Sequence, residues 1–289
     1  MKVLVTGSNG QLGYAVVKEL QKQNIEHYGA TRKDFDLIDF KATEKFIVDY
    51  MPDVVIHCAA YTAVDRAEDE QGLCYLVNTS ATENIADICK KINAKLLFVS
   101  TDYVFGDGDN KPWLADSKLC NPVNIYGKTK LEAEKTVENI LNKYFIIRTS
   151  WLFGENGNNF VNTMLKLGKN SKCLRIVNDQ IGRPTYAYDL AKLLVDMIKT
   201  EKYGYYNATN EGSYVSWYEF ACEIFKQANY NVYVMQVTSE EYRLMALRPH
   251  NSKLDTSKLE KAGFKKLPDW QDALKRYLEI YKWNNQKDL

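Results

Sequence analysis

The first thirteen residues restrict the fold more than any other stretch. Lys2 to Thr6 reads KVLVT, a short β-branched strand, and it runs directly into Gly7-Ser-Asn-Gly10-Gln-Leu-Gly13. Leu12, Val16, Val17 and Leu20 then recur at helical spacing. In a strand, turn and helix unit, three such glycines have separate physical tasks. They permit a tight turn, a close approach of backbone to a pyrophosphate, and close packing of helix on sheet. The helix N-terminus adds free N–H groups and the positive end of its dipole, both favourable to phosphate. Gly7, Gly10 and Gly13 are therefore candidate cofactor-binding positions, and their context at a strand-to-helix turn strengthens the motif.

The pattern repeats along the chain. A second strand covers Ile25 to Ala30 and ends in Thr31-Arg32-Lys33. An acidic residue there would select NAD through the ribose 2′-hydroxyl. Arg32 instead either holds a 2′-phosphate, which favours NADPH, or is an ordinary solvated loop arginine. Asp39 precedes a helix expected from about Ala42 to Tyr50, and either caps it or reaches the adenine region. Asp53 to Cys58 is a third, buried strand; it ends in Ala59-Ala60-Tyr61-Thr62, small enough at first for a cofactor to approach. One long helix is expected from Gln71 to Ile92, with Asn78 either a buried polar contact or a catalytic group. Lys95 to Val99 is the fourth strand, and Ser100, Thr101 and Asp102 follow at its end. A loop with Gly106, Gly108, Pro112 and Pro122 leads to the helix of Tyr126, and strand Tyr144 to Arg148 follows.

This alternation implies an α/β, Rossmann-like doubly wound parallel sheet. After Trp151 the pattern changes to short strands mixed with helices. Two helices are expected to open with the boxes Ser216…Glu219 and Thr238…Glu241, and a last amphipathic helix runs from Trp270 to Trp283. The expected division is a dinucleotide-binding domain over 1–150 and a smaller, interleaved substrate lobe over 151–289. Some segments of that lobe would return to the first sheet, since no linker separates the two.

Tyr126 and Lys130 lie one turn apart on one helix face. A phenol titrates near 10, and an ammonium beside it favours the phenolate, which makes it a usable proton donor or acceptor. Alone, the pair also fits an ordinary solvent-facing helix. Bulk properties narrow the setting. A net charge of +1 gives no electrostatic case for nucleic acid or an anionic membrane. No apolar run reaches the roughly eighteen residues of a membrane span, and the chain starts as a strand with no signal-like segment. A cytoplasmic protein is expected. The six cysteines are scattered without a CxxC, which points to reduced thiols rather than disulfides or a metal site.

With the glycine turn, Ser100-Thr101 at a strand end and Tyr126…Lys130 one helix later, the chain resembles the extended short-chain dehydrogenase/reductase family over its whole length. Finer motifs are STDYVF (Ser100 to Phe105), YGKTKLEAE (Tyr126 to Glu134), RTSWLF (Arg148 to Phe153), NNF (Asn158 to Phe160), NDQIGRPT (Asn178 to Thr185) and RPHNSKL (Arg248 to Leu254). They are similar to the branch that reduces the C4 carbonyl of a dTDP-linked 4-keto-6-deoxy sugar with NADPH or NADH. The resemblance implies that Tyr126 donates the proton, that Lys130 binds the nicotinamide ribose and depresses the tyrosine pKa, and that Thr101 bonds the carbonyl oxygen. It further implies Gly10, Gln11 and Leu12 at the pyrophosphate, Asp39 and Phe40 at the adenine, and Ala60, Tyr61 and Thr62 along the cofactor's middle. Asp102 and Trp151 match substrate-side positions. Arg248 and Asn251 are candidates for the nucleotide end, although Arg248 fits a structural ion pair equally well.

One departure concerns metal. Some members are metal-bridged dimers that use a glutamate after the third glycine, and here Tyr14-Ala15 stands there. A metal-independent monomer or homodimer is therefore expected. A 4,6-dehydratase needs a second carboxylate after Asp102, where this chain has Tyr103. The remaining rivals are an NAD-dependent nucleotide-sugar epimerase and a non-catalytic dinucleotide-binding subunit, such as the regulatory subunit of a methionine adenosyltransferase.

Overall fold

The computed structural model describes residues 1–286. The opening β-branched run forms β1 (Lys2–Thr6), and α1 (Gln11–Lys22) turns Leu12, Val16 and Leu20 onto the sheet. β2 (Glu26–Ala30), α2 (Phe40–Tyr50) and β3 (Val54–His57) follow. The next helical stretch is not continuous. It consists of α3 (Val64–Asp69), α4 (Gln71–Tyr75), a π-helical turn (Leu76–Ser80) and α5 (Ala81–Lys91). The helix expected over Gln71 to Ile92 is present as one run from Gln71 to Lys91, with a π turn inside it that carries the buried Asn78, and the short helix α3 precedes it. β4 (Lys95–Thr101), α6 (Ile125–Ile140) and β5 (Tyr144–Thr149) complete the regular alternation.

Then come β6 (Leu152–Phe153), α7 (Phe160–Asn170), β7 (Cys173–Val177), β8 (Ile181–Gly182), β9 (Thr185–Tyr186), α8 (Ala187–Met197) and β10 (Gly204–Asn207). The chain ends through β11 (Asn210–Glu211), β12 (Val215–Ser216), α9 (Trp217–Ala228), β13 (Tyr233–Val237), α10 (Ser257–Lys261), β14 (Leu267–Asp269) and α11 (Trp270–Gln286).

The main sheet has six strands in the order β2-β1-β3-β4-β5-β10, all parallel. Because both faces are covered, its four inner strands β1, β3, β4 and β5 read as near-continuous apolar runs, while the edge strands β2 and β10 do not. On one face α1 and α8 pack over Val3, Val5, Ile56, Leu97, Phe145 and Ile147. On the other, α2, α5 and α6 cover Leu4, Val55, Leu96, Phe98 and Ile146. A third, aromatic core holds Trp151, Phe153, Tyr186, Phe220, Trp270 and Tyr277 among α7, α9 and α11. Two elements beyond residue 150 thus belong to the first sheet: β10 pairs with β5, and α8 covers one face.

The Ser216…Glu219 box caps α9 with both of its hydrogen bonds. The Thr238…Glu241 box also forms its bonds, at 2.8 and 3.3 Å, but no helix follows, contrary to expectation. The downstream backbone is drawn elsewhere: the Ala246 N–H donates to Asp65 on α3 rather than to a residue one turn back.

Candidate active site

β1 and β3 are neighbours, while β2 lies outside β1, so strand order reverses between them and opens a crevice above their C-terminal ends. Two close contacts fix the glycines there. Gly7 has φ +66°, and a Cβ on it would sit 2.8 Å from Ala59 Cα; a Cβ on Gly13 would sit 2.2 Å from the Gly7 carbonyl. The Gly10 N–H donates to Gly7 O at 2.9 Å. No side chain caps α1, so the N–H groups of Gln11 and Leu12 in its first turn remain open to an anion. A cradle closed to any Cβ and an uncapped helix end fit a dinucleotide pyrophosphate. Ala59 faces Gly7, and Ala60, Tyr61 and Thr62 follow it in the chain. Asn78 holds Tyr61, accepting from its N–H at 2.8 Å and donating to its carbonyl at 3.2 Å.

At the end of β2, Asp34 gathers the Thr31 N–H, the Thr31 hydroxyl and the Tyr28 hydroxyl at 2.8, 3.0 and 2.6 Å. The turn it shapes leaves Arg32 exposed and unpaired among the described residues. Asp39 caps α2 by accepting from Ala42 N at 3.0 Å, so of its two readings the structure contains the cap. Phe40 beside it is exposed.

The start of α6 is set by three features. Asn124 caps it at Gly127 N (2.8 Å), and Glu68 of α3 accepts from Ile125 N (2.9 Å). A Cβ on Gly127 would stand 2.2 Å from Tyr103 O, so only glycine lets the helix approach the turn after Thr101. That approach brings the Tyr126 phenol beside Thr101, close enough for the Thr101 hydroxyl to influence its titration, and sets its ring edge-on to Tyr103 at 5.8 Å. Thr101 donates to Asp102 Oδ1 at 3.0 Å and accepts from Tyr103 N at 3.2 Å. Lys130 is 2% exposed. Its ammonium donates to Val99 O at 2.7 Å and lies 3.9 Å from the centre of the Phe98 ring.

The titration of these groups departs from the sequence expectation. Burial pushes the Tyr126 phenol up, the neighbouring Thr101 hydroxyl opposes this, and the Asp102 charge adds to the rise. Lys130 is not among the groups that move it. Burial lowers Lys130 to about 7, against the attraction of Glu134. Burial also raises Asp102 to about 6, opposed by the neighbouring Ser252 hydroxyl and by the hydrogen bond from Thr101. In this crevice desolvation is the largest influence on the phenol.

Trp151 follows β5 with φ +50°, a conformation that bulky side chains rarely adopt. Its indole stacks on Trp217 at 3.7 Å and lies flat over Gly182, where a Cβ would come within 2.7 Å of the ring. Such local strain is held by surrounding structure and concentrates at functional sites. Arg248 is drawn away from a ligand role: it grips Asp65 through two bonds at 2.8 and 2.6 Å. The side chain of Asn251 is buried and donates to Lys111 O at 2.8 Å, bracing the loop after β4.

Several participants carried no sequence signal of their own. Thr6 Oγ1 and His57 Nδ1 are 2.7 Å apart beneath the glycine turn. Burial and the Lys130 charge push His57 down to about 3, so it stays neutral. Trp217 was hidden in an ordinary capping box, and Thr149, whose hydroxyl is buried without a partner, pairs in register with Thr101. The strand register, once known, would have found Thr149. Among the described residues no group of His, Cys, Asp or Glu could hold a metal ion, and no helix is long and apolar enough to cross a membrane.

A doubly wound sheet with a glycine turn at its switch point and a Thr–Tyr–Lys set beside it defines a reductase of the extended short-chain dehydrogenase/reductase class. Residues 1–283 match the family model described as RmlD substrate binding domain. The chain is 40% identical to the dTDP-4-dehydrorhamnose reductase of Aggregatibacter actinomycetemcomitans, over 95% of this chain and 97% of that protein. It is 38% identical to the spore coat polysaccharide biosynthesis protein SpsK of Bacillus subtilis, over 96% and 97%. A crystal structure of dTDP-4-dehydrorhamnose reductase from Bacillus anthracis in complex with NADP superposes with a TM-score of 0.93 at 40% identity, covering 96% of this chain and 99% of that one. The chain belongs to the dTDP-4-dehydrorhamnose reductase family.

Proposed function

We propose that this chain reduces the C4 carbonyl of dTDP-4-dehydro-6-deoxy-L-mannose to dTDP-L-rhamnose, with NADPH as the preferred cofactor. The observation that carries this reading is the placement of the Tyr126 phenol beside the Thr101 turn at the switch-point crevice, where Gly127 lets α6 close on Tyr103 O and the Tyr126 ring meets Tyr103 edge-on at 5.8 Å. The bound cofactor supplies a hydride to the carbonyl carbon. Gly7, Gly10 and Gly13, with the open N–H groups of Gln11 and Leu12, hold its pyrophosphate, and Ala60, Tyr61 and Thr62 line its middle. The unpaired Arg32 guanidinium suits a 2′-phosphate, which gives NADPH the advantage over NADH. Asp39 and Phe40 border the adenine end.

Thr101 and Tyr126 bond the substrate's carbonyl oxygen and stabilise the charge that develops on it. Tyr126 then gives up its proton. A phenol held protonated by burial is a fit donor, because the alkoxide produced by hydride addition is a far stronger base than a phenolate. Lys130 steadies the phenolate left behind and bonds the cofactor's ribose. Trp151 forms a flat apolar wall for the sugar, and Asp102 orients Thr101. Arg248 and Asn251 act by bracing the segments around the nucleotide end. The enzyme works in the cytoplasm as a monomer or homodimer that needs no bridging metal, since Tyr14 carries no carboxylate and instead lies under the Lys18 ammonium at 4.5 Å. Its product serves surface polysaccharide synthesis.

The test is NADPH oxidation with the purified protein and dTDP-4-dehydro-6-deoxy-L-mannose. Wild type is expected to oxidise NADPH only when the sugar is present, and Tyr126→Phe to lose about 10²–10⁴-fold in kcat while melting at the same temperature. Absence of substrate-dependent oxidation of either nicotinamide cofactor by wild type would falsify the assignment.

A further inference from the structure

The turn that carries Gly7, Gly10 and Gly13 is not held by its own domain alone. Segment 154–159, which follows β6 and leads into α7, lies across it. The Asn156 carboxamide donates to Asn9 O at 2.6 Å, and the Gln11 carboxamide donates to Asn158 O at 3.1 Å. Lys18 of α1 pairs with Glu155 at 3.0 Å. The centre of this contact is Asn159. Its Oδ1 accepts from Asn162 N at 2.9 Å and thereby caps α7. That bond fixes which end of the carboxamide points where, so Nδ2 must face the other way. There it donates to Gln11 Oε1 at 3.1 Å and Gly154 O at 2.9 Å. The fit is close: Gly157 has φ +88°, and a Cβ on it would stand 3.4 Å from Gln11 Cγ.

We infer that Asn159 is a positioning residue for the cofactor turn. Its carboxamide, anchored at the start of α7, fixes the Gln11 side chain and so holds the first N–H groups of α1 in the geometry that receives a pyrophosphate. The second lobe thereby sets the affinity of the first for the dinucleotide. A serine at this position would still cap α7, because its oxygen accepts the same N–H, but it has no donor to reach Gln11. The inference rests on the dinucleotide reading of the glycine turn.

Titration calorimetry with NADPH on wild type, Asn159→Ser, Gln11→Ala and the double variant tests it, together with the melting temperature of each. Wild type must bind NADPH; if it does not, the cofactor reading falls and this inference with it. Given wild-type binding, Asn159→Ser is expected to raise the Kd about five- to tenfold with a melting temperature within a few degrees of wild type. Gln11→Ala should do the same, and the double variant should be no weaker than the weaker single variant, the signature of one shared interaction. An unchanged Kd in Asn159→Ser, or effects of the two substitutions that multiply, overturns the inference and leaves the cofactor reading standing. A fall in melting temperature without a change in Kd assigns Asn159 to helix capping alone and overturns it as well.

Discussion

Asp102 shows how far the meaning of a residue depends on its surroundings. Its place after Thr101 is legible in the sequence, but its protonation is not, because burial raises it to about 6 and burial is a tertiary property. The folded value lies above that of an unfolded carboxylate, so between about pH 4 and 6 the native state binds the extra proton. The stability this contributes is complete below about pH 4 and is lost as pH rises through 6. Asp102→Asn should therefore remove a burial penalty, stabilising the protein at pH 8 by about 1–3 kcal/mol relative to wild type and by much less at pH 4. Urea unfolding at both pH values checks this, and an equal difference at the two would refute it. The glycines and the Tyr126…Lys130 pair were legible because turn chemistry and helical spacing are local. Gly127 was not, since its need arises from Tyr103 O across a turn. For Arg248 an ion pair is one of two open readings, and what the sequence does not show is the partner, Asp65, 183 positions away.

At the scale of elements, the strands and most helices follow from periodicity; the helix expected after Thr238 does not form, and the run from Gln71 to Lys91 contains a turn that periodicity does not show. Between α3 and α5 the backbone widens into a π turn, a feature often found at functional sites. Asn78 on that turn bonds both backbone groups of Tyr61 and also donates to Thr129 Oγ1 at 3.1 Å, while Thr129 donates to Tyr126 O at 2.9 Å. One carboxamide thus ties the cofactor wall to the helix of the candidate proton donor. Asn78→Ala leaves these buried groups unsatisfied and should cost about 2–4 kcal/mol in urea unfolding, with a weakened affinity for NADPH. A loss under about 1 kcal/mol would mean that water replaces the side chain.

For the whole molecule, the βα alternation made a parallel doubly wound sheet legible, but it did not locate the sixth strand. β10 is four residues long and looks in sequence like any short strand of the second half; what recruits it is the open edge of β5, with Tyr206 alongside Ile147. α8 likewise covers Phe145 and Ile147 from the far side of residue 150. A fragment of residues 1–150 should accordingly show no cooperative urea transition and little near-ultraviolet circular dichroism, whereas the full chain unfolds cooperatively. A sharp transition in the fragment would show that the first 150 residues fold without these late elements.

The late arrival of β10 also has a consequence in time. A chain made at 5–20 residues per second extends from the end of β5 to the end of β10 in roughly 3–12 s. Throughout that interval the segment Tyr144–Thr149, with Phe145, Ile146 and Ile147 in it, lacks its β10 partner. Exposed edges of that composition recruit other chains, so yield during synthesis should depend on how crowded the ribosomes are and on how promptly chaperones engage the nascent chain.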